Sequence, residues 1–203
     1  MEMKYVDLKT KLKEIIVFSL NDIRQLDSSF YRSRLIEWSD KGYIIRLRRD
    51  KYMFSDTDTS ESILFHIANR IYSPSYISLE TALSYYGLIP ETVYSITSVT
   101  TRKTNEFENK LGKFIYRTLN SNLFWGYDIV QNFQIAEVEK CILDYLYLNP
   151  NIENESDFVE LRFNGEDFLK KYSKEKFNKY LKIFNNKALN TRVNKFMKFL
   201  KNA

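Results

Sequence analysis

Between Arg46 and Lys51 the chain reads Arg-Leu-Arg-Arg-Asp-Lys, four cations within six residues. Cations at that density suit the phosphates or the minor groove of a nucleic acid. Ile45 and Leu47 alternate with Arg46 and Arg48, and Tyr52 and Phe54 alternate with Lys51 and Met53. The alternation predicts a hairpin turning at Arg49–Asp50, with one apolar and one basic face. Just upstream, Ser29, Arg32, Ser33 and Arg34 are the side chains able to reach base edges. Tyr31, Leu35 and Trp38, at i, i+4 and i+7, would face inward along a helix over 29–41, leaving those four outward.

Residues capable of catalysis are scattered. Glu137 and Glu139 open a predicted helix, where the macrodipole already favours carboxylates. Asp144 lies among Ile142, Leu143 and Leu146, a setting for a hydrogen-bonded structural carboxylate, and no partner for it is evident. The segment TTRKT at 100–104, with Arg102 and Lys103, is basic but has no glycine-rich cradle for a phosphate. Cys141 has no helical histidine partner, and His66 is the chain's one histidine. No catalytic set, metal site, disulfide or cofactor is expected.

The elements around these residues are long and sparsely punctuated, with three prolines and five glycines in 203 residues. A helix is predicted over Tyr5–Ile16, then a short one capped by Ser19 and running to Leu26, then the helix stopped by Gly42, then the basic hairpin. Three helices followed by a hairpin is the order of a winged helix-turn-helix, in which two helices hold a third against the major groove. The polar run Ser55–Ser60 marks a boundary, dividing the chain into 1–56, a DNA-binding unit, and 57–203, a larger unit folding separately. In the second, helices are predicted over Glu61–Tyr72, Leu79–Tyr86 and Ala136–Leu148. Strands are predicted over Tyr94–Thr100, Lys113–Leu119 and Tyr127–Ile135, forming a small antiparallel sheet, with a helical bundle after Asp157. The fold class is therefore α+β, dominated by helices.

Net charge is +5, unevenly distributed. Residues 1–56 carry 12 Lys/Arg against 9 Asp/Glu, residues 57–160 carry 7 against 14, and residues 161–203 carry 12 against 3. Contact with a polyanion would therefore use the ends. Lys170, Lys171, Lys174, Lys176, Lys179 and Lys182 contribute to the basic C-terminal block, where solvated helix faces and a patch for DNA, RNA or a protein are alternative readings. The single cysteine, the charged start and the lack of a long apolar run point to a cytoplasmic protein without a membrane partner.

Five segments together resemble the AbiEi antitoxins of type IV toxin-antitoxin systems, also found in abortive phage infection: FSLNDIRQL, SRLIEWSDKGYIIRLRRDKYMF, SYISLETALSYYGLIPE, YSITSVTTRKT and EVEKCILDYLY. Asp50 stands where the family's wing turn usually has glycine. The resemblance implies a transcriptional autorepressor whose N-terminal domain binds inverted repeats of operator DNA. It further implies a C-terminal domain counteracting an AbiEii-type nucleotidyltransferase toxin, with or without touching it, for which Arg102, Lys103 and Asp144 are the candidate residues. The alternative is a one-component winged-helix regulator with a ligand-sensing second domain. An enzyme acting on the toxin or on nucleotides would need convergent polar groups that Asp144, Arg102 and Lys103 do not supply.

Overall fold

The computed structural model of the chain describes residues 3–90 and 94–202. Glu91, the last residue of the GLIPE segment, lies outside them. The fold is α+β, with a separate two-stranded hairpin and a six-stranded mixed sheet.

The first elements are α1 (Tyr5–Lys11), α2 (Leu20–Leu26) and α3 (Ser33–Asp40), followed by the antiparallel strands β1 (Ile44–Arg48) and β2 (Lys51–Phe54). Ser19 caps α2 as its position suggested, its hydroxyl accepting from the Asp22 amide at 3.3 Å. Phe18 and Tyr52 exchange main-chain hydrogen bonds of 2.9 and 2.8 Å, tying the start of α2 to the hairpin. Leu8, Phe18, Ile23, Phe30, Leu35, Trp38, Ile44, Tyr52 and Phe54 form one core among these elements.

The helix predicted over 29–41 begins later, at Ser33, because residues 27–31 are taken up by a turn. Asp27 accepts from the Ser29 amide at 3.0 Å and from its hydroxyl at 2.6 Å, and the Phe30 amide bonds the Asp27 carbonyl. Tyr31 consequently precedes the helix and is 71% exposed. Phe30 takes the inward place that the spacing assigned to Tyr31.

The hairpin also departs from expectation. Register slips between Arg46 and Arg48, a bulge that breaks the alternation: Leu47 is buried as expected, but Arg48 leaves the exposed side that Arg46 keeps. Met53, expected on the basic side, is fully buried. Ile44, Tyr52 and Phe54 pack into the first core, whereas Leu47 and Met53 join the core of the following elements. Both faces are covered, and the hairpin is a wall between two cores.

Beyond the polar connection come α4 (Glu61–Ile71), β3 (Ser75–Ile77), α5 (Leu79–Tyr85), β4 (Ser95–Thr100), β5 (Asn105–Asn109), β6 (Gly112–Thr118), β7 (Tyr127–Val130) and β8 (Phe133–Ala136). The sheet order is β5-β6-β4-β3-β8-β7. It is mixed rather than the expected antiparallel, because β4 pairs with β6 and β3 with β8 in parallel. The single strand expected over Tyr127–Ile135 is a two-strand hairpin, with Gln131 and Asn132 both left-handed at φ 46° and 73°. Alternation sends Tyr116 toward α4, where its hydroxyl meets the Ala68 carbonyl at 2.7 Å. It sends Tyr76 and Thr97 to the opposite face, covered by α5 and by α6 (Val138–Leu148). The chain closes with α7 (Glu155–Glu160), α8 (Gly165–Lys171), α9 (Lys174–Phe184) and α10 (Lys187–Asn202), of which α9 and α10 pack on α6.

Candidate nucleic-acid interface

The inward stripe of α3 is Leu35 and Trp38, and the side opposite presents Ser33, Ile36, Glu37 and Asp40 to solvent. Two of the four expected base readers share that exposed end, Arg32 at the N-cap and Ser33 in the first turn. Ser29 is exposed, with its hydroxyl engaged by Asp27. Arg34 turns inward instead. Its guanidinium donates to the Met3 carbonyl at 2.8 Å and lies 5.1 Å from the Trp38 ring centroid, bracing α3 against the N-terminal segment. Glu37 is held below the usual carboxylate range by its hydrogen bond to Lys41, 2.6 Å away. Ile36 did not stand out among the charged residues of the sequence, although the spacing that turns Leu35 and Trp38 inward also puts it on the outward face.

The hairpin cations divide likewise. Arg46 and Arg49 are exposed and Lys51 is half-buried, and none of the three has a hydrogen bond or ion pair among the described residues. Asp50 adopts φ 58°, and its carboxylate accepts from the Leu20 amide at 3.1 Å, folding the tip back on the start of α2. Arg48 points the other way. It donates to the Ile71 carbonyl at 2.6 Å and lies 4.5 Å from the centroid of Phe107 and 5.2 Å from that of Tyr72. The opposite arrangement, Arg46 out and Arg48 in, follows from the bulge between them.

Arg102 also covers Tyr72, at 4.7 Å, and donates to the Ser73 carbonyl at 3.2 Å. The ring is thus shared by the hairpin and the TTRKT segment. Lys103 is exposed, and its carbonyl accepts from the Tyr72 hydroxyl at 2.8 Å.

Asp144 joins neither Arg102 nor Lys103. It is fully buried and paired with Lys140, also fully buried, one turn earlier on α6. The sequence reading missed this partner, although an i, i+4 Lys–Asp spacing was there to be read. Tyr76 donates to Asp144 at 2.8 Å and accepts from Lys140 at 2.8 Å, and Ser78 donates to Asp144 at 3.0 Å. The Lys140 ammonium lies 5.1 Å from the centroids of both Trp125 and Phe184, and its aliphatic stem rests on Gly126. Burial pulls the Lys140 ammonium below and pushes the Asp144 carboxyl above their ordinary ranges, each opposed by the partner's charge. Neighbouring Cys141 is buried, and burial raises its thiol well above the usual range. The buried pair joins β3, α6 and α9.

His66 bonds the Asn132 carbonyl at 2.8 Å. Among the described residues no three His, Cys, Asp or Glu side chains gather as metal ligands would, and no helix is long and apolar enough to cross a membrane. Comparison with protein-family models and with curated proteins returned no match.

Proposed function

We propose that the chain is a DNA-binding autorepressor and antitoxin of the AbiEi kind, gripping operator duplex with a winged helix-turn-helix formed by α1–α3 and the β1–β2 hairpin. One observation carries the DNA reading: the cations Arg32, Arg46, Arg49 and Lys51, without protein partners among the described residues, are distributed between the N-terminal end of α3 and the hairpin. Exposed cations at the start of a helix and on the hairpin that follows it suit the phosphates of a duplex. Inverted repeats would be met by two copies. The antitoxin half of the proposal rests on the sequence resemblance, and its partner would be a nucleotidyltransferase toxin encoded beside it.

The test is titration of the full chain against duplex from upstream of its own gene, at several salt concentrations. Arg46→Ala/Arg49→Ala should weaken binding and lower the log–log salt slope by about 2, roughly one unit for each phosphate no longer neutralised. Unchanged affinity and slope would remove the hairpin from the interface. Rescue of growth when the chain is co-expressed with the neighbouring toxin tests the antitoxin half, and no rescue would refute it.

A ligand-sensing regulator is the second reading. It is favoured by a cavity of about 230 Å³ between α9 and α10, floored by Phe177, Leu181, Val193 and Met197 and rimmed by Lys174 and Lys201. A small molecule that co-purifies with the chain and alters its DNA affinity would support this reading.

A further inference from the structure

We infer that Ile36 is the residue that reads thymine, packing against the 5-methyl group of a T·A pair in the major groove. This rests on the DNA-binding proposal and adds base chemistry to it. Four outward side chains are available on α3: Ser33, Ile36, Glu37 and Asp40. The Ser33 hydroxyl can donate or accept and so discriminates little between bases. Glu37 is occupied by Lys41, and Asp40 is an anion that phosphates repel. Ile36 alone is apolar. It is 59% exposed and stands outside both hydrophobic cores.

In the major groove the thymine methyl is the distinctive apolar group, all other base-edge features being donors or acceptors. Ile36 follows Ser33 by three residues, about 4.5 Å along the helix axis, a separation comparable to one base-pair step. Arg32 at the start of the helix, with Arg46 and Arg49 on the hairpin, would meet phosphates while Ile36 faces the base edges. The predicted site is therefore a half-site with a fixed thymine, and the adjacent base pair, facing Ser33, would vary more freely.

The experiment is enrichment of a randomised duplex library by the full chain, followed by replacement of single thymines in the enriched site with deoxyuridine, which removes only the methyl group. Wild type should enrich a fixed thymine and lose about fourfold in affinity on its replacement, equivalent to ~0.8 kcal/mol for one buried methyl group. Ile36→Ala, a change at an exposed position, should relax that base and bind thymine and deoxyuridine duplexes equally. The deoxyuridine comparison with wild type requires no protein variant. If an enriched site tolerates every deoxyuridine and Ile36→Ala selects the same site, Ile36 is not the reader, and the DNA-binding proposal survives. If no sequence is enriched and no duplex is bound, the DNA-binding proposal falls and takes this inference with it.

Discussion

Arginines adjacent in sequence have different work in this molecule. Arg46 and Arg49 extend into solvent, whereas Arg48 is held by the Ile71 carbonyl and two aromatic rings. Arg48→Ala should therefore lower folding stability by about 1.5–3 kcal/mol, the range for a hydrogen bond from a charged group, and change the DNA salt slope less than Arg46→Ala does. Urea unfolding beside the DNA titration separates the two effects. Arg48→Lys should restore little, since an ammonium cannot lie flat on two rings while donating to one carbonyl. Lys140 and Asp144 make a sharper case, being a buried ion pair with each charge dependent on the other. Lys140→Met or Asp144→Leu alone should cost about 3–5 kcal/mol by leaving its partner's buried charge uncompensated. The apolar pair Lys140→Met/Asp144→Leu should recover much of that deficit. A double-mutant cycle in urea measures the coupling, and single effects below about 1 kcal/mol would mean that water reaches the pair.

Elements respond to pH through carboxylates concentrated in the N-terminal part. Asp27 is held low chiefly by the Ser29 hydroxyl, Glu37 by Lys41 and Asp56 by Lys9 of α1. A carboxylate whose folded value is depressed stabilises the fold above its unfolded value and ceases to do so as pH falls through the folded one. These elements should thus loosen below about pH 4, where ordinary carboxylates begin to protonate. Trp38 fluorescence in a Trp125→Phe background would follow the transition, and Glu37→Gln with Asp56→Asn should shrink it. No loosening in acid would show that the three interactions do not hold these helices. Much of the helical content was legible: Ser19 marked the start of α2, and Gly42 and Gly87 the ends of α3 and α5, while the turn at Asp27–Ser29 hid the start of α3. The polar edge strand Asn105–Asn109 was not, nor the turn at Gln131–Asn132, which has no glycine to announce it. The parallel pairing of β4 with β6 depends on interactions no local pattern encodes. In the candidate sites the cations were visible by type, but the split between Arg46 and Arg48 depended on a bulge. Tyr76 and Ser78, 68 and 66 residues before Asp144, were beyond any spacing argument.

At the scale of the whole molecule, Ser55–Ser60 is a polar connection across which packing continues. Leu47 and Met53 sit in the core built by residues after it, and Asn109 donates to the Leu47 carbonyl at 3.0 Å. The polar junction suggests that a chain beginning near Thr59 would fold and stay soluble, and the AbiEi resemblance implies that it would protect against the toxin while losing operator binding. In the structure such a chain uncovers the apolar surface that Leu47 and Met53 fill, along with Tyr72 and Phe107. The truncated chain should be less stable than the full one and prone to associate, with Leu47→Ser/Met53→Ser in the intact chain reproducing part of the effect. Thermal unfolding and sedimentation check this, and a monomeric, equally stable fragment would establish two independent units. Inheritance is constrained by the same wall. Recombination exchanges an N-terminal half freely only where a flexible tether is the sole junction; here a graft at residue 56 also imports Leu47, Arg48 and Met53, and sets them against Ile71, Tyr72, Phe107 and Asn109 from another lineage. Substitutions on one side of the hairpin wall should therefore be accompanied by substitutions on the other, so that the two halves of the chain diverge together.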